Sequence, residues 1–545
     1  MKNKWWQEAI IYQIYPKSFY DSNNDGIGDI QGVIEKLPYL KKLGVNALWL
    51  NPIFSSPQVD NGYDIDDYES IDPLFGTMED VEAFIEQAHQ QGMKVIFDFV
   101  LNHTSDQHPW FQKALADKNS KYNDYYYFMD EKPNNWASFF GGSVWERTKD
   151  GRYYFHLFDK KMPDLNWSNP EVREKMMAIA QFWANKGIDG LRLDAFIHLG
   201  KADFSLQKEG GDPIVAEEYY AHLNEVHQYM QEFNTQLKQA FPQLFFVGEA
   251  SSASLEQAVD YMKPERHECD SVITFRYFEE TEAPVYKELS AQFQPKVFDW
   301  QRFAHTMDEW QEKIGRVGYP TLYFNNHDMA RMVNRFGSLV SRKESQKCLA
   351  TLMYLQKGIP ILLYGEEIGM ENHHAQSIDD IEENEGIHFY NQALDYGLNQ
   401  EEILSMMENH TRNASRGAMQ WDDTKYAGFS THQPWLGVNV EKEYNVAAEE
   451  KDEHSILNYY RQLLSLKKEP LYIDGVYHRL SVEPVYAYTR ENEGKKATIY
   501  CNLSEKRVTV QNKGNIRLGQ NIEQEEETLV LGPWASVVIE EDKNE

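Results

Sequence analysis

Short apolar runs recur along the chain, separated by longer stretches whose apolar positions fall three and four apart. The first pattern reads as buried strands and the second as amphipathic helices. Eight runs qualify as barrel strands: residues 10–15, 47–50, 94–99, 191–194, 244–249, 271–275, 321–325 and 360–364. The helices between them carry their own signals. Thr77 and Asp80 are spaced as a capping box, and Val81, Phe84, Ile85 and Ala88 then share one face. Asn169 caps a helix with Pro170 at its first position. Val172, Met176, Ile179 and Trp183 line its inner side, and Gly187 ends it. Alternating strands and helices predict an α/β chain, and eight such units predict a (β/α)8 TIM barrel.

Two intervals break this rhythm, and the end of the chain abandons it. Residues 104–169 are aromatic, Asn-rich and irregular, with a short strand at 153–157, and predict a B domain inserted after the third strand. A second insertion covers about 371–420. From 471 to 545 the runs are short and alternating (476–480, 485–489, 498–502, 528–531 and 536–539), without helices. They predict a C-terminal antiparallel β-domain whose charged end, 540–545, is frayed. The barrel itself is then residues 1–103 and 170–470.

Composition narrows the partners. The chain has 545 residues, with 54 Lys and Arg against 86 Asp and Glu, a net charge of −32 that would repel nucleic acid. Cys269, Cys348 and Cys501 are too few and too scattered for a disulfide framework. Glu8 interrupts the apolar N-terminal segment, so no signal peptide is expected, and no run of about 18 apolar residues offers a membrane span. A cytoplasmic protein without membrane or nucleic-acid partners is the expectation. Aromatic residues, 14% of the chain, suit stacking on sugar rings as well as filling a core.

The chemistry collects at strand ends. GLRLD delivers Asp194, LFFVGEA delivers Glu249, and LYFNNHD delivers His327 and Asp328. In a (β/α)8 barrel the C-terminal strand ends carry the active site. Carboxyl groups there are the material of glycosidic bond chemistry. A retaining glycosidase needs two of them about 5–5.5 Å apart, and adjacent strands about 4.8 Å apart can supply that spacing. Arg192 shares a strand face with Asp194 and is expected to hold it ionised.

In order, DFVLNH, MPDLNW, GLRLD, VGEA and NNHD resemble the α-amylase superfamily (glycoside hydrolase family 13), in detail its oligo-1,6-glucosidase and α-glucosidase branch. The resemblance covers nearly the whole chain. It implies that Asp194 is the nucleophile, Glu249 the general acid/base and Asp328 the third acid, which binds sugar hydroxyls and steadies an oxocarbenium-like transition state. It makes His103 and His327 hydrogen-bonding partners of the sugar, Tyr63 the stacking tyrosine and Asp98 the buried aspartate of the same subsite. Arg331 is expected to line the site. Asp60 and Arg416 match a pair that closes the pocket around a terminal glucose.

The resemblance also bears on linkage and on metal. Ala195 follows the nucleophile where a valine tends to accompany α-1,6 preference, and Met162 stands where those enzymes more usually have glutamine. Both departures favour α-1,4 bonds. The loop DSNNDGIGD alternates oxygen ligands at Asp21, Asn23 and Asp25, and Asp29 can add another. It begins like an EF-hand, but Gly32 occupies the twelfth position. The resemblance implies one structural Ca2+ or Mg2+ there, with the Ile27 carbonyl as a further ligand. An Asx turn without metal is the alternative. No organic cofactor is expected.

The expected protein is a retaining exo-acting α-glucosidase. It would cut terminal α-1,4-linked glucose, and α-1,6-linked glucose alongside, from short α-gluco-oligosaccharides through a glucosyl–Asp194 intermediate. The alternatives are an oligo-1,6-glucosidase, a trehalose- or sucrose-acting or glucosyl-transferring relative, and a silent amylase-like transporter subunit. The last typically has an anchor and has lost its acids, unlike this chain.

Overall fold

A computed structural model describes residues 4–381, 384–482 and 484–542. The eight expected strands form β1 (Ile11–Ile14), β2 (Ala47–Leu50), β3 (Lys94–Val100), β4 (Gly190–Asp194), β5 (Phe245–Glu249), β6 (Ser271–Ile273), β7 (Thr321–Leu322) and β8 (Ile359–Leu363). All are parallel, in the order β6-β5-β4-β3-β2-β1-β8-β7. Side chains complete the ring between β6 and β7. Thr321 Oγ1 donates to the Val272 carbonyl (2.8 Å) and Ser271 Oγ to the Tyr319 carbonyl (2.7 Å). Those two strands are shorter than their apolar runs, because the chain leaves the ladder while Tyr323 and Phe324 stay buried.

The helices follow their sequence signals. In α1 (Met78–Gln90) the Thr77–Asp80 capping box forms, and Val81, Phe84, Ile85 and Ala88 are buried. Asn169 caps α2 (Pro170–Asn185) by accepting from the Glu171 amide, and Val172, Met176, Ile179 and Trp183 face inward. Each such apolar side chain contributes roughly 1.5–3 kcal/mol by leaving water. Gly187 takes φ +101° just beyond the helix, a conformation costly for any residue with a Cβ.

The insertion after β3 holds a three-stranded antiparallel sheet (Phe128–Met129, Trp145–Arg147, Tyr153–Phe155). It does not stand on residues 104–169 alone. The loop after β4 supplies part of its small core: Ala216 and Tyr220, with the partly buried Phe204, pack with Trp136, Val144 and Phe155. Trp136 Nε1 also donates to the Leu206 carbonyl (3.0 Å). A buried Lys201–Asp164 ion pair (3.0 Å) joins the two segments. The second insertion carries helices Asn384–Tyr396 and Gln400–Met407 over a separate apolar cluster.

The C-terminal strands are β9 (Val476–Val482), β10 (Val485–Asn492), β11 (Lys495–Cys501), β12 (Val508–Gln511), β13 (Asn515–Glu525) and β14 (Thr528–Asp542). They run antiparallel in the order β9-β10-β11-β14-β12, with β13 also on β14. Two expectations are corrected. Runs 528–531 and 536–539 are one long strand that passes through Trp534 at φ +52°. Residues 540–542 are paired, not frayed, with Lys496 opposite Glu541 and Lys495 opposite Asp542; residues 543–545 lie outside the described ones. The strands β12 and β13 escaped the sequence reading because β13 is largely polar and exposed. Cys269, Cys348 and Cys501 are free and buried. Among the described residues no helix is long and apolar enough to cross a membrane.

Candidate active site

Neighbouring strands β3, β4 and β5 set the centre. Their register places Asp98 and Val247 opposite Arg192, so Asp194 and Glu249 both follow two positions later at the barrel mouth. The Arg192 guanidinium is almost wholly buried and serves three carboxylates. Nη1 donates to Asp98 Oδ1 (2.9 Å) and to Asp194 Oδ1, and Nη2 donates to Glu249 Oε2 (2.6 Å). The two principal acids are thus held on the two terminal nitrogens of one fork. Immediately after Asp194, Ala195 takes the left-handed conformation (φ +49°), which turns the chain away from the strand.

One cation shared by three acids has an electrostatic consequence. Burial raises the Asp194 pKa well above the ordinary aspartate value; Arg192 opposes this, but the Glu249 and Asp98 charges add to it. Burial likewise pushes Asp98 up to about 6 against the pull of Arg192. Arg192 favours the ionised form of Asp194, as expected, but its one charge is divided among three carboxylates.

A second network is built on His327. Its ring stacks on Tyr63 (5.6 Å between centroids, 12° between planes). Gln13 Nε2 donates to His327 Nδ1 (2.8 Å), so the ring proton sits on Nε2 and is given to the Tyr63 hydroxyl (2.5 Å). That hydroxyl donates to Asp98 Oδ2 (3.0 Å). Burial lowers the His327 pKa to about 3, in keeping with a neutral ring. His103 is organised in the same way. Asn102 Nδ2 donates to its Nδ1 (3.3 Å), while Nε2 is buried without a hydrogen-bond partner, and burial lowers its pKa to about 4. A buried donor left unpaired suits a substrate hydroxyl.

Asp328 has the opposite setting from Asp194. Burial works against its ionisation, but His327, Arg416 and Arg412 outweigh it and hold the pKa down to about 2. Arg416 Nη2 donates to Asp328 Oδ1 (3.0 Å) and its Nε to the His327 carbonyl (2.8 Å). The expected Asp60–Arg416 pair is not formed. Asp60 instead meets Arg412, whose Nη1 donates to Asp60 Oδ1 (2.8 Å). The segment TRNASR offers arginines at both 412 and 416, and the one-turn 3-10 helix Arg412–Ser415 sends them to different acids. Arg331 is also corrected. It does not line the pocket; it donates to the Tyr364 carbonyl and to the Ser415 carbonyl (2.8 Å), pinning the segment that leads to Arg416.

These groups surround a cavity of about 420 Å³, lined by Asp60, Tyr63, His103, Asp194, Glu249, Asp328 and Arg412, with Met162 and Ala195 also in the wall. That is ample for a sugar ring and part of a second. Sequence reasoning missed several wall residues: Phe139, Phe140, Phe158, His198, Glu217, Ser251, Ser252 and Phe275. They lie on loops or, for His198 and Glu217, on single 3-10 turns, where no periodicity marks an inward side chain.

The loop Asp21–Asp29 lies apart from this cavity and is ordered by its own hydrogen bonds. Asp21 Oδ1 accepts from the amides of Asn23 and Asn24, and its Oδ2 from the Gly26 amide and Ser430 Oγ. Asn23 accepts from the Asp25 amide and Asp25 from the Ile27 amide. Asp29 caps helix Ile30–Leu43 through the Gly32 amide (2.6 Å). The all-oxygen donor set suits a hard cation, but each Asp21 oxygen already accepts at least two hydrogen bonds, while the Asn23 and Asp25 oxygens accept one each. Among the described residues, however, no three His, Cys, Asp or Glu side chains converge on one point.

The family model described as the alpha amylase catalytic domain matches residues 13–475. An oligo-1,6-glucosidase of Parageobacillus thermoglucosidasius is 39% identical over 523 residues, 93% of this chain and 92% of the relative. Among solved structures, a family GH13_31 enzyme superposes with TM-score 0.92 at 45% identity, covering 99% of this chain and all of its own. The trehalose-6-phosphate hydrolase of Bacillus licheniformis does so with TM-score 0.91 at 34% identity, over 99% of this chain and 100% of the other.

Proposed function

The chain belongs to the α-amylase family, and from that premise we propose a retaining, exo-acting α-glucosidase that takes single glucose units from short α-gluco-oligosaccharides. The observation that carries this reading is the pair of acids on Arg192 inside a pocket also walled by the Asp60–Arg412 ion pair. Such a wall favours a terminal sugar over a chain threaded through.

In the proposed cycle the Asp194 carboxylate attacks the anomeric carbon as Glu249 gives its proton to the departing glycosidic oxygen. Water then attacks the glucosyl ester, its proton passes to Glu249, and Asp194 leaves as carboxylate. Two inversions give net retention. Asp328 and His103 hold the ring hydroxyls and the charge that develops on the ring, while His327, whose two ring nitrogens are taken by Gln13 and Tyr63, positions Tyr63 from behind the pocket wall.

Two linkage readings each have support. Ala195, in the pocket wall, lacks the methyl groups of the valine that goes with α-1,6 preference, and Met162, also in the wall, is the second departure that favours α-1,4 bonds. The name of the Parageobacillus relative favours α-1,6. A phosphorylated sugar fits less well. Among the described residues the one Lys or Arg in the pocket wall is Arg412, and Asp60 engages it. Initial rates of glucose release from maltose, isomaltose, trehalose and sucrose, with Asp194→Ala as control, test the proposal. Maltose faster than isomaltose is expected, with Ala195→Val lowering that ratio. The reverse order assigns the α-1,6 reading. Wild-type-like turnover by Asp194→Ala refutes the mechanism.

We also propose that Asp21, Asn23, Asp25, the Ile27 carbonyl and Asp29 take one Ca2+ or Mg2+, which would brace the loop after β1 without entering the chemistry. Chelation by EDTA should lower the thermal midpoint by a few degrees, with recovery on adding Ca2+ or Mg2+, and Asp21→Ala should abolish the response. A midpoint indifferent to chelator leaves the loop as a metal-free Asx turn.

A further inference from the structure

The pocket contains a polar wall that the proposed cycle does not use. Glu217, Ser251 and Ser252 all line it, and the two serines follow Glu249 by two and three positions. Ser252 Oγ donates to Glu217 Oε1. Behind it, His222 Nε2 lies 3.1 Å from Ser252 Oγ, and His222 Nδ1 lies 3.0 Å from the Tyr261 hydroxyl.

The chemistry of the carboxylate fixes the direction of this chain. An ionised Glu217 only accepts, so Ser252 must donate to it. Ser252 then accepts from His222, which places the ring proton on Nε2 and leaves Nδ1 to accept from Tyr261. Burial lowers the His222 pKa to about 4, so the ring is neutral at pH 7, as the chain requires. The arrangement is held at a cost: His222 sits at φ +56°, secured by its amide bond to the Ile197 carbonyl (2.9 Å). Strained residues of this kind concentrate where position matters.

Resting on the α-glucosidase reading, we infer that Glu217, oriented by the Tyr261–His222–Ser252 chain, accepts a hydroxyl hydrogen bond from the departing sugar and so selects sugar leaving groups. Glu249 must reach the glycosidic oxygen, so the serines that follow it stand on the leaving-group side. One Glu217 oxygen is occupied by Ser252, and the other is available to a hydroxyl. A carboxylate here welcomes an uncharged sugar and works against an anionic one.

The test compares maltose and isomaltose with p-nitrophenyl α-glucoside, whose leaving group has no sugar hydroxyls. Glu217→Ala should lower kcat/KM for the better disaccharide about 10- to 100-fold more than for the aryl glucoside, the range for a hydrogen bond to a charged group. His222→Phe, which leaves Glu217 in place but unties Ser252, should shift the same ratio in the same direction by less. Equal losses on both substrates, or no loss on the disaccharide, overturn the assignment. Aryl-glucoside turnover reports that each variant is folded. A wild-type protein inactive on all three substrates would instead refute the α-glucosidase reading.

Discussion

Arg192 illustrates how far a single residue can be stretched. It faces Asp98, Asp194 and Glu249, and its one charge cannot satisfy three. The nucleophile must be ionised to attack, so its raised pKa moves the acid limb of kcat/KM above the ordinary aspartate range. Asp98 contributes to that rise. Asp98→Asn should therefore shift the acid limb to lower pH, because one negative neighbour is gone and Arg192 is freed toward Asp194. Activity should fall about 10- to 100-fold in the same variant, since Tyr63 and Arg192 lose a charged partner. A pH profile of kcat/KM checks both, and a limb that moves upward or stays fixed contradicts the account. At this scale the sequence was informative wherever a strand ended. Asp194, Glu249, His327 and Asp328 could be placed because a run of apolar residues delivers whatever follows it to the barrel mouth. The partner of Asp60 could not be placed. Arg412 and Arg416 are chemically identical, and only the turn between them decides which acid each reaches.

Elements were legible where burial imposes a period. Every barrel strand and both helices with predicted caps are present, since one buried face constrains their pattern. The exposed β13 and the join within β14 were not, because a polar edge and a turn through Trp534 carry no such pattern. Helix Pro109–Ala116 in the B domain shows an unusual start: His108 accepts the Trp110 amide through Nδ1 (3.1 Å). That acceptor role needs a neutral ring, and burial lowers the His108 pKa to about 4. The unfolded histidine takes a proton near pH 6.5, whereas the folded one does not until about 4. Its stabilising contribution is thus whole above the unfolded pKa and is lost as pH falls through that window. His108→Asn keeps a good cap without a titrating ring. The variant should match wild type near pH 7 and gain on it progressively from pH 6.5 to 4, by on the order of 3 kcal/mol. Urea unfolding midpoints at several pH values measure this, and a gap that narrows on acidification defeats the argument.

Across the whole molecule, charge is the dominant feature that strand and helix patterns do not register. With 86 acidic against 54 basic side chains, even complete pairing would leave 32 carboxylates without a cation. Exposed ion pairs such as Arg507–Glu523 and Lys121–Glu171 contribute little, because water and salt screen them. Unpaired like charges repel throughout the folded surface, and compaction brings them closer than the unfolded chain does. Repulsion should win, because the exposed pairs are individually weak while the excess charge is large and concentrated on the barrel segments, residues 104–169 carrying nine acids and nine bases. Added salt screens attraction and repulsion alike, so the stronger of the two, the repulsion, loses more. Raising NaCl from about 10 mM to 150 mM shortens the Debye length from about 30 Å to 8 Å, and the thermal midpoint should rise by several degrees. A falling midpoint would mean that the ion pairs outweigh the repulsion. The same titration bears on function. An uncharged disaccharide has no long-range attraction or repulsion to lose, so its kcat/KM should change less than about two-fold over this range. Turnover that climbs steeply with salt would point to an anionic substrate approaching an acidic protein. That outcome would count against an uncharged leaving sugar beside Glu217.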